Sequence, residues 1–194
     1  MRRIIDGGMF LLGLVTLAAI VVQLRHSLAA GGTFANFFSY FTIQSNIFAA
    51  IVLIFAPRLA ILRGSATLYL TITGIVYALI LARNDEGLIP WVNLVVHYLM
   101  PAATIASWFA DAPPIEEGYV ATLLRWLAYP ILYGIYSLVR GSITGWYPYA
   151  FLDPKIHGYA GVAMAVILVS TFAVAIGAGI VWYAKRGGSA LLQP

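Results

Sequence analysis

The 194-residue chain has no cysteine and little charge: seven Asp and Glu and eleven Lys and Arg together make up 9% of it. Without cysteine there is no disulfide, no thiol nucleophile and no thiolate metal site, and nothing in the chain speaks to redox compartment. Soluble domains carry roughly a quarter charged residues, so a surface this poor in charge would self-associate in water unless most of it faced hydrocarbon. That scarcity excludes a water-soluble domain and a disordered chain alike. The net charge of +4 does not make a nucleic-acid binder. The cations stand singly or in pairs between apolar runs and form no stripe that a phosphate backbone could follow. What the chain has in plenty is apolar surface, 62% of residues with 14% aromatic, and its mean hydropathy is +0.91.

A hydrocarbon core of about 30 Å takes roughly 17 to 25 helical residues to cross. Six stretches qualify, 4–24, 37–56, 66–82, 90–109, 119–139 and 159–184, which predicts an all-α integral-membrane bundle of six transmembrane helices making one domain over 1–194. The third stretch holds Thr67, Tyr69, Thr71, Thr73, Gly74 and Tyr77, too polar for a lipid-exposed helix, and is expected to pack against neighbours. The first, with Arg2 and Arg3 ahead of it and Ser27-Leu28-Ala29 behind, has the outline of a cleavable signal. It is longer than the usual apolar core of one, and Arg25 and His26 occupy a region normally free of charge, so it reads as the first span.

Lysines and arginines near helix ends orient such a bundle. An inside N-terminus leaves seven inside (Arg2, Arg3, Arg58, Arg63, Arg125, Lys185 and Arg186) against four outside (Arg25, Arg83, Arg140 and Lys155). Both termini are therefore expected in the cytoplasm. The one long connection, 140–158, is outer and carries Gly145-Trp146-Tyr147-Pro148-Tyr149, amphipathic rings suited to an interface.

Polar side chains inside membrane helices are costly, which makes them the informative ones. His97 lies about seven residues into the fourth helix, roughly 10 Å deep at 1.5 Å per residue, with Asn93 one turn before it and Pro101 one turn after. It can be a packed histidine bonded to a neighbouring carbonyl or a working base. In the second helix Thr42, Ser45 and Asn46 recur at i, i+3, i+4 and share one face. Small polar residues at this spacing commonly glue membrane helices together, but Thr42 enters from the same side as His97 and lies at nearly the same depth. A threonine hydroxyl needs a neighbour to take its proton, and neutral histidine titrates in the right range. Asn93 could set the imidazole tautomer, and Ser45 or Asn46 could donate to a developing oxyanion.

Other polar groups suit simpler roles. Asp85-Glu86 and Glu116-Glu117 read as solvated loop charges, and Asp6 as a complement to the dipole of the first helix. Arg140 could pair with Asp153, meet a substrate carboxylate or anchor at the interface. His26, His97 and His157 share no metal-ligand spacing, so neither a metal nor a cofactor is expected. Ala173 with Gly177 and Ala175 with Gly179 are small-xxx-small pairs for close helix contact.

Taken together, Phe41-Thr42-Ile43-Gln44-Ser45-Asn46, His97 with Pro101, Tyr129-Pro130, and the loop run Arg140-Gly141 through Thr144-Gly145-Trp146-Tyr147-Pro148-Tyr149 to Phe151-Leu152-Asp153-Pro154 carry a resemblance. They resemble a family of small bacterial membrane proteins related to the eukaryotic androgen-induced and androgen-dependent TFPI-regulating proteins. The resemblance spans helices two to five and the long loop. It implies a multi-pass threonine hydrolase of the inner membrane that cleaves fatty acid esters of hydroxy fatty acids, with Thr42 as nucleophile and His97 as base. The expected partner is a lipid entering from the bilayer. Acyl transfer to another alcohol is the neighbouring chemistry, and a binding or transport protein is the rival from another class, since helix-interrupting Pro101 and Pro130 also suit a substrate path.

Overall fold

The computed structural model describes residues 2–82 and 87–190, and every regular element among them is helical. Arg83, Asp85 and Glu86 lie outside the described residues. Helices are what a lipid-facing chain must form, because only they satisfy each backbone group within the segment. The elements are α1 (Arg2–Ala29), the single turn α2 (Phe34–Phe37), α3 (Phe41–Phe55), α4 (Ala60–Leu81), α5 (Pro90–Asp111), α6 (Tyr119–Thr144) and α7 (Pro154–Ala190), with a 3₁₀ turn at Ala150–Leu152. Four of them are long and apolar enough to cross a membrane, within Ile5–Ala29, Ala60–Leu81, Pro90–Asp111 and Pro154–Arg186. Several apolar helices of this length are compatible with a multi-pass membrane protein. α3 is apolar but has only 15 residues, while α6 has 26 and carries Arg125 and Arg140.

The helices depart from the expected stretches where local chemistry intervenes. The second stretch breaks before Phe41, because Phe41 N–H donates to the Tyr133 hydroxyl (3.1 Å) instead of to the turn before it. Upstream, the Thr33 side chain caps the separate turn α2. α4 begins at Ala60, six residues before the expected stretch: Arg63 is buried and donates to the Ser107 carbonyl at 2.7 Å, so its charge does not hold the helix end out in water. α6 runs past 139 to Thr144 and stops at Gly145, whose φ of 69° ends the helix in the left-handed region. α7 kinks at Gly158 (φ 66°). Pro130 is accommodated within α6.

Hydrogen bonds and ion pairs fix how the helices run. Arg58, after α3, pairs with Asp6 at the start of α1 and with Asp111 at the end of α5 (2.6 Å). At the same end Tyr183 of α7 donates to the Phe109 carbonyl (2.6 Å) and Tyr119 of α6 to the Ala178 carbonyl (3.0 Å). At the opposite end Gln23 of α1 holds the approach to α5, donating to the Gly87 carbonyl (2.9 Å) and accepting from Ile89 N–H (3.1 Å). α1, α4 and α6 therefore run one way and α3, α5 and α7 the other.

Two apolar cores result. One joins α1, α3 and α5 through residues such as Ile20, Ala50, Val92 and Met100. The other joins α4, α6 and α7 around Leu68, Trp126 and Val181, with Phe41 of α3 and Trp108 of α5 packed into it. α4 serves both and is the most buried of the four long helices, as its polar composition predicts: Thr67, Tyr69, Thr71 and Thr73 are all buried. Gly64 lets the second core close, since a Cβ there would sit 2.1 Å from Trp126 Cζ2. Of the small-residue pairs, Gly177 lies close to Leu123 and Leu68, whereas a Cβ on Gly179 would meet open space.

Candidate functional site

Thr42 stands at the seam of the two cores, since Phe41 belongs to one and Ile43 to the other. It is the second residue of α3, where unpaired N–H groups give the helix a positive end. Two phenols take those donors: the Tyr133 hydroxyl accepts from Phe41 N–H and donates to the Ser39 carbonyl (2.8 Å), and the Tyr149 hydroxyl accepts from Thr42 N–H (3.3 Å).

The depth argument places Thr42 and His97 at one level, and the structure brings them together. Thr42 Oγ1 lies 3.3 Å from His97 Nε2. His97 Nδ1 lies 2.6 Å from Asn93 Oδ1, and Asn93 Nδ2 donates to the Tyr77 hydroxyl. With its amide nitrogen so used, Asn93 offers only its oxygen to the ring. Nδ1 therefore carries the proton, and Nε2 presents a lone pair to the threonine hydroxyl. The Tyr77 ring also stacks on the imidazole, with centroids 3.8 Å apart and planes 11° from parallel.

Two π-helical turns position these partners, Tyr77–Leu81 in α4 and Val95–Leu99 in α5. In α5 the cause is local. Met100 N–H bonds the Val95 carbonyl and Pro101 has no N–H, so the Val96 carbonyl is left over. Asn46 Nδ2 takes it at 3.1 Å and also donates to the Thr42 carbonyl at 2.9 Å.

Ser45 and Asn46 are therefore committed elsewhere than to an oxyanion. Both protons of Asn46 Nδ2 go to carbonyls, and Ser45 Oγ bonds the Thr42 carbonyl (3.2 Å) and the Thr73 hydroxyl (2.9 Å). Their work is to hold α3 on α4 and α5. Arg140 does not pair with Asp153. It donates to Asn36 Oδ1 (2.6 Å) and lies over the Trp146 ring (4.7 Å), while Asp153 caps α7 by accepting from Lys155 N–H (2.8 Å). His26 and His157 are exposed, and no group of three potential metal ligands occurs among the described residues. Asp6 serves the ion pair to Arg58.

Thr42 opens onto a cavity of about 170 Å³. Leu127 and Ile131 of α6 and Val166, Val169 and Val174 of α7 wall it, Thr42 and Tyr149 mark one polar part, and no lining residue carries a full charge. Ile131 and Val174 are also about half exposed on the outside of the bundle, at 56% and 46%, so the cavity wall is itself part of the apolar outer surface. His97 is not among the lining residues; it sits behind Thr42.

Two members of this constellation escape a reading of spacing alone, Tyr77 and Tyr149. Tyr149 comes from the long loop, and its hydroxyl lies 3.5 Å from Thr42 Oγ1. The loop reaches there because Gly141 lets the Tyr147 ring lie flat on α6; a Cβ at that position would be 2.0 Å from Tyr147 Cε1. Desolvation holds the Tyr149 phenol above its ordinary value, against the opposing hydrogen bonds from Thr42, so it keeps its proton at neutral pH. No protein-family model, curated protein or solved structure matches this chain.

Proposed function

We propose that the protein is an intramembrane threonine hydrolase acting on a lipid ester, of the kind its resemblance to the androgen-induced and androgen-dependent TFPI-regulating proteins implies. The observation that carries this reading is the chain Thr42, His97, Asn93 with its hydroxyl end on an apolar cavity. Thr42 Oγ1 attacks the ester carbonyl as its proton passes to His97 Nε2, and the carbonyl π electrons move to oxygen. Collapse expels the alcohol, which takes the proton from His97 and leaves acyl-Thr42. Water, deprotonated by the same nitrogen, then releases the acid and restores the hydroxyl. The positive end of α3 favours the charge that develops in both halves. The charge-free cavity suits a hydrocarbon arm arriving sideways from lipid.

In this reading α1 and α3 to α7 all cross an inner membrane, with both termini cytoplasmic and the site in the outer half. The alternating helix directions support it, as does the excess of Lys and Arg at the Asp6 end. Cysteines placed at Glu116 and Ser142, both exposed, test it: an impermeant thiol reagent should label Ser142→Cys in intact cells and Glu116→Cys only after the cells are opened. Reversed labelling would overturn the orientation.

Chemistry is tested by screening the purified protein against neutral esters of several lipid classes, followed by an electrophilic phosphonate. Hydrolysis by the wild type, with the adduct on Thr42 and no adduct in Thr42→Ala, is the expected result. Thr42→Ser should retain measurable turnover. A folded Thr42→Ala protein with full turnover would end the threonine-hydrolase reading and leave lipid binding or transport in its place.

A further inference from the structure

The mechanism above leaves one charge without a partner: the oxyanion on the former carbonyl oxygen. The donors that spacing suggested are spent. Both Asn46 protons and the Ser45 hydroxyl serve α3, α4 and α5, the Tyr133 proton serves the Ser39 carbonyl, and Thr42 N–H serves Tyr149. The Tyr149 proton is different. Its oxygen accepts from Thr42 N–H, its hydroxyl also lies 3.5 Å from Thr42 Oγ1, a long bond, and the residue lines the cavity beside Thr42.

We infer that Tyr149, delivered by the 145–153 loop, is the oxyanion donor of the hydrolase, a catalytic residue that acts through its phenolic proton. This rests on the hydrolase reading. Before attack the proton points at Thr42 Oγ1 and is poorly bonded. When Oγ1 joins the carbonyl carbon, the oxygen that gains the charge stands one bond angle away from Oγ1, on the cavity side where Tyr149 is. The hydrogen bond then shortens and becomes charge-assisted. It is therefore stronger in the transition state than in the ground state, which is what acceleration requires. The N–H of Thr42 holds the phenol oxygen in place during the change. On this account the aromatic loop is part of the active site as well as an interface anchor, and the Gly141 notch exists to seat it.

The test compares an aryl ester of a medium-chain fatty acid with the matching thionoester, whose sulfur accepts hydrogen bonds poorly. Wild type should prefer the oxygen ester strongly. Tyr149→Phe should lower kcat on the ester about a hundredfold and bring the preference between the two substrates close to that of their uncatalysed rates. Tyr183→Phe, which removes a phenol at the far end of the bundle, should leave both rates and their ratio alone. A Tyr149→Phe protein that loses both substrates in parallel, or neither, would show a phenol that only steadies α3 and would overturn the inference while the hydrolase reading stood. If that variant fails to fold, 3-fluorotyrosine at position 149 keeps the shape and acidifies the donor. The preference should then rise, and an unchanged ratio would equally overturn the inference. A wild type that hydrolyses no ester and takes no phosphonate on Thr42 would remove the hydrolase reading and this inference with it.

Discussion

The two ends of the bundle solve the same problem, holding helices together with polar groups, by opposite chemistry. At the Asp6 end full charges pair directly, Asp6 and Asp111 on Arg58 and Glu117 on Arg125, beside the phenol-to-carbonyl bonds of Tyr119 and Tyr183 and two fully buried tryptophans. Around Thr42, at the Gln23 end, the bonds run between neutral groups: hydroxyl to imidazole, imidazole to carboxamide, carboxamide to phenol. Charges in partial contact with water are screened by it and mainly set register. Neutral groups packed out of water keep their full directionality and can pass a proton without first losing a hydration shell. On the proposed hydrolase reading the comparison separates a structural end from a working end, and substitutions at each should move different observables.

The largest separation is expected between His97 and Gly64. His97→Ala removes the base and should cut ester turnover per folded molecule by about 10³, within the range general bases supply, a loss far larger than any fall in melting temperature from the vacated ring would explain. Double substitution with Thr42→Ala should be hardly worse than either alone, because the pair acts as one unit. Gly64→Ala should do the reverse. Its Cβ collides with Trp126 and Trp108, and overpacking of this kind costs about 1–3 kcal/mol, read as a lower melting temperature with turnover per folded molecule retained. A His97→Ala protein that melts as early as Gly64→Ala, with activity lost only in proportion to folding, would collapse the distinction.

How much of this was legible in the sequence follows from which forces are local. Hydropathy and chain length place the apolar helices, and depth from a common side is enough to pair Thr42 with His97, because rise per residue is constant. The i+4 spacing also brings Asn93 under His97. Spacing fails where periodicity does. The π turn at Val95–Leu99 frees a carbonyl that captures Asn46, and the one at Tyr77–Leu81 comes where Tyr77 meets His97; neither follows from a 3.6-residue repeat. The early start of α4 was hidden by Arg63, whose charge looks like a helix boundary until the Ser107 carbonyl is seen to receive it. Tyr149 was hidden for a different reason: it sits in a loop, 107 residues from Thr42 in sequence, and only the close packing of Tyr147 on Gly141 seats the loop that carries it.

An intermediate effect is expected at Asn93. Asn93→Leu keeps the volume but leaves Nδ1–H without an acceptor, so the ring can turn or adopt the other tautomer. Turnover should fall roughly tenfold to a hundredfold, less than for loss of His97, because the imidazole remains and only its orientation degrades. Asn93→Asp should recover part of that loss, since it restores the acceptor. Equal turnover in Asn93→Leu and wild type would show that packing against Tyr77 alone orients the ring.

The smallest effect is expected at the ion pairs, and it calibrates the comparison. Asp6 and Arg58 are 33% and 46% exposed at their side chains, so their attraction is screened and offset by the entropy of holding two flexible groups. Asp6→Asn should cost only about 0.2–1 kcal/mol and leave ester turnover unchanged. Arg58→Gln should cost somewhat more, because it also removes the Arg58 cation from Asp111, which is 11% exposed and bonded to the same guanidinium. The double variant isolates the pair: its coupling energy should shrink as salt is raised, since exposed charges are screened within about 10 Å at 0.1 M. The Thr42 to His97 contact should show no such dependence, because neither group carries a charge at rest. A salt-dependent loss of turnover in Asp6→Asn would mean that the two ends are mechanically coupled through α1, and that the ion pairs help to set the geometry of the working end.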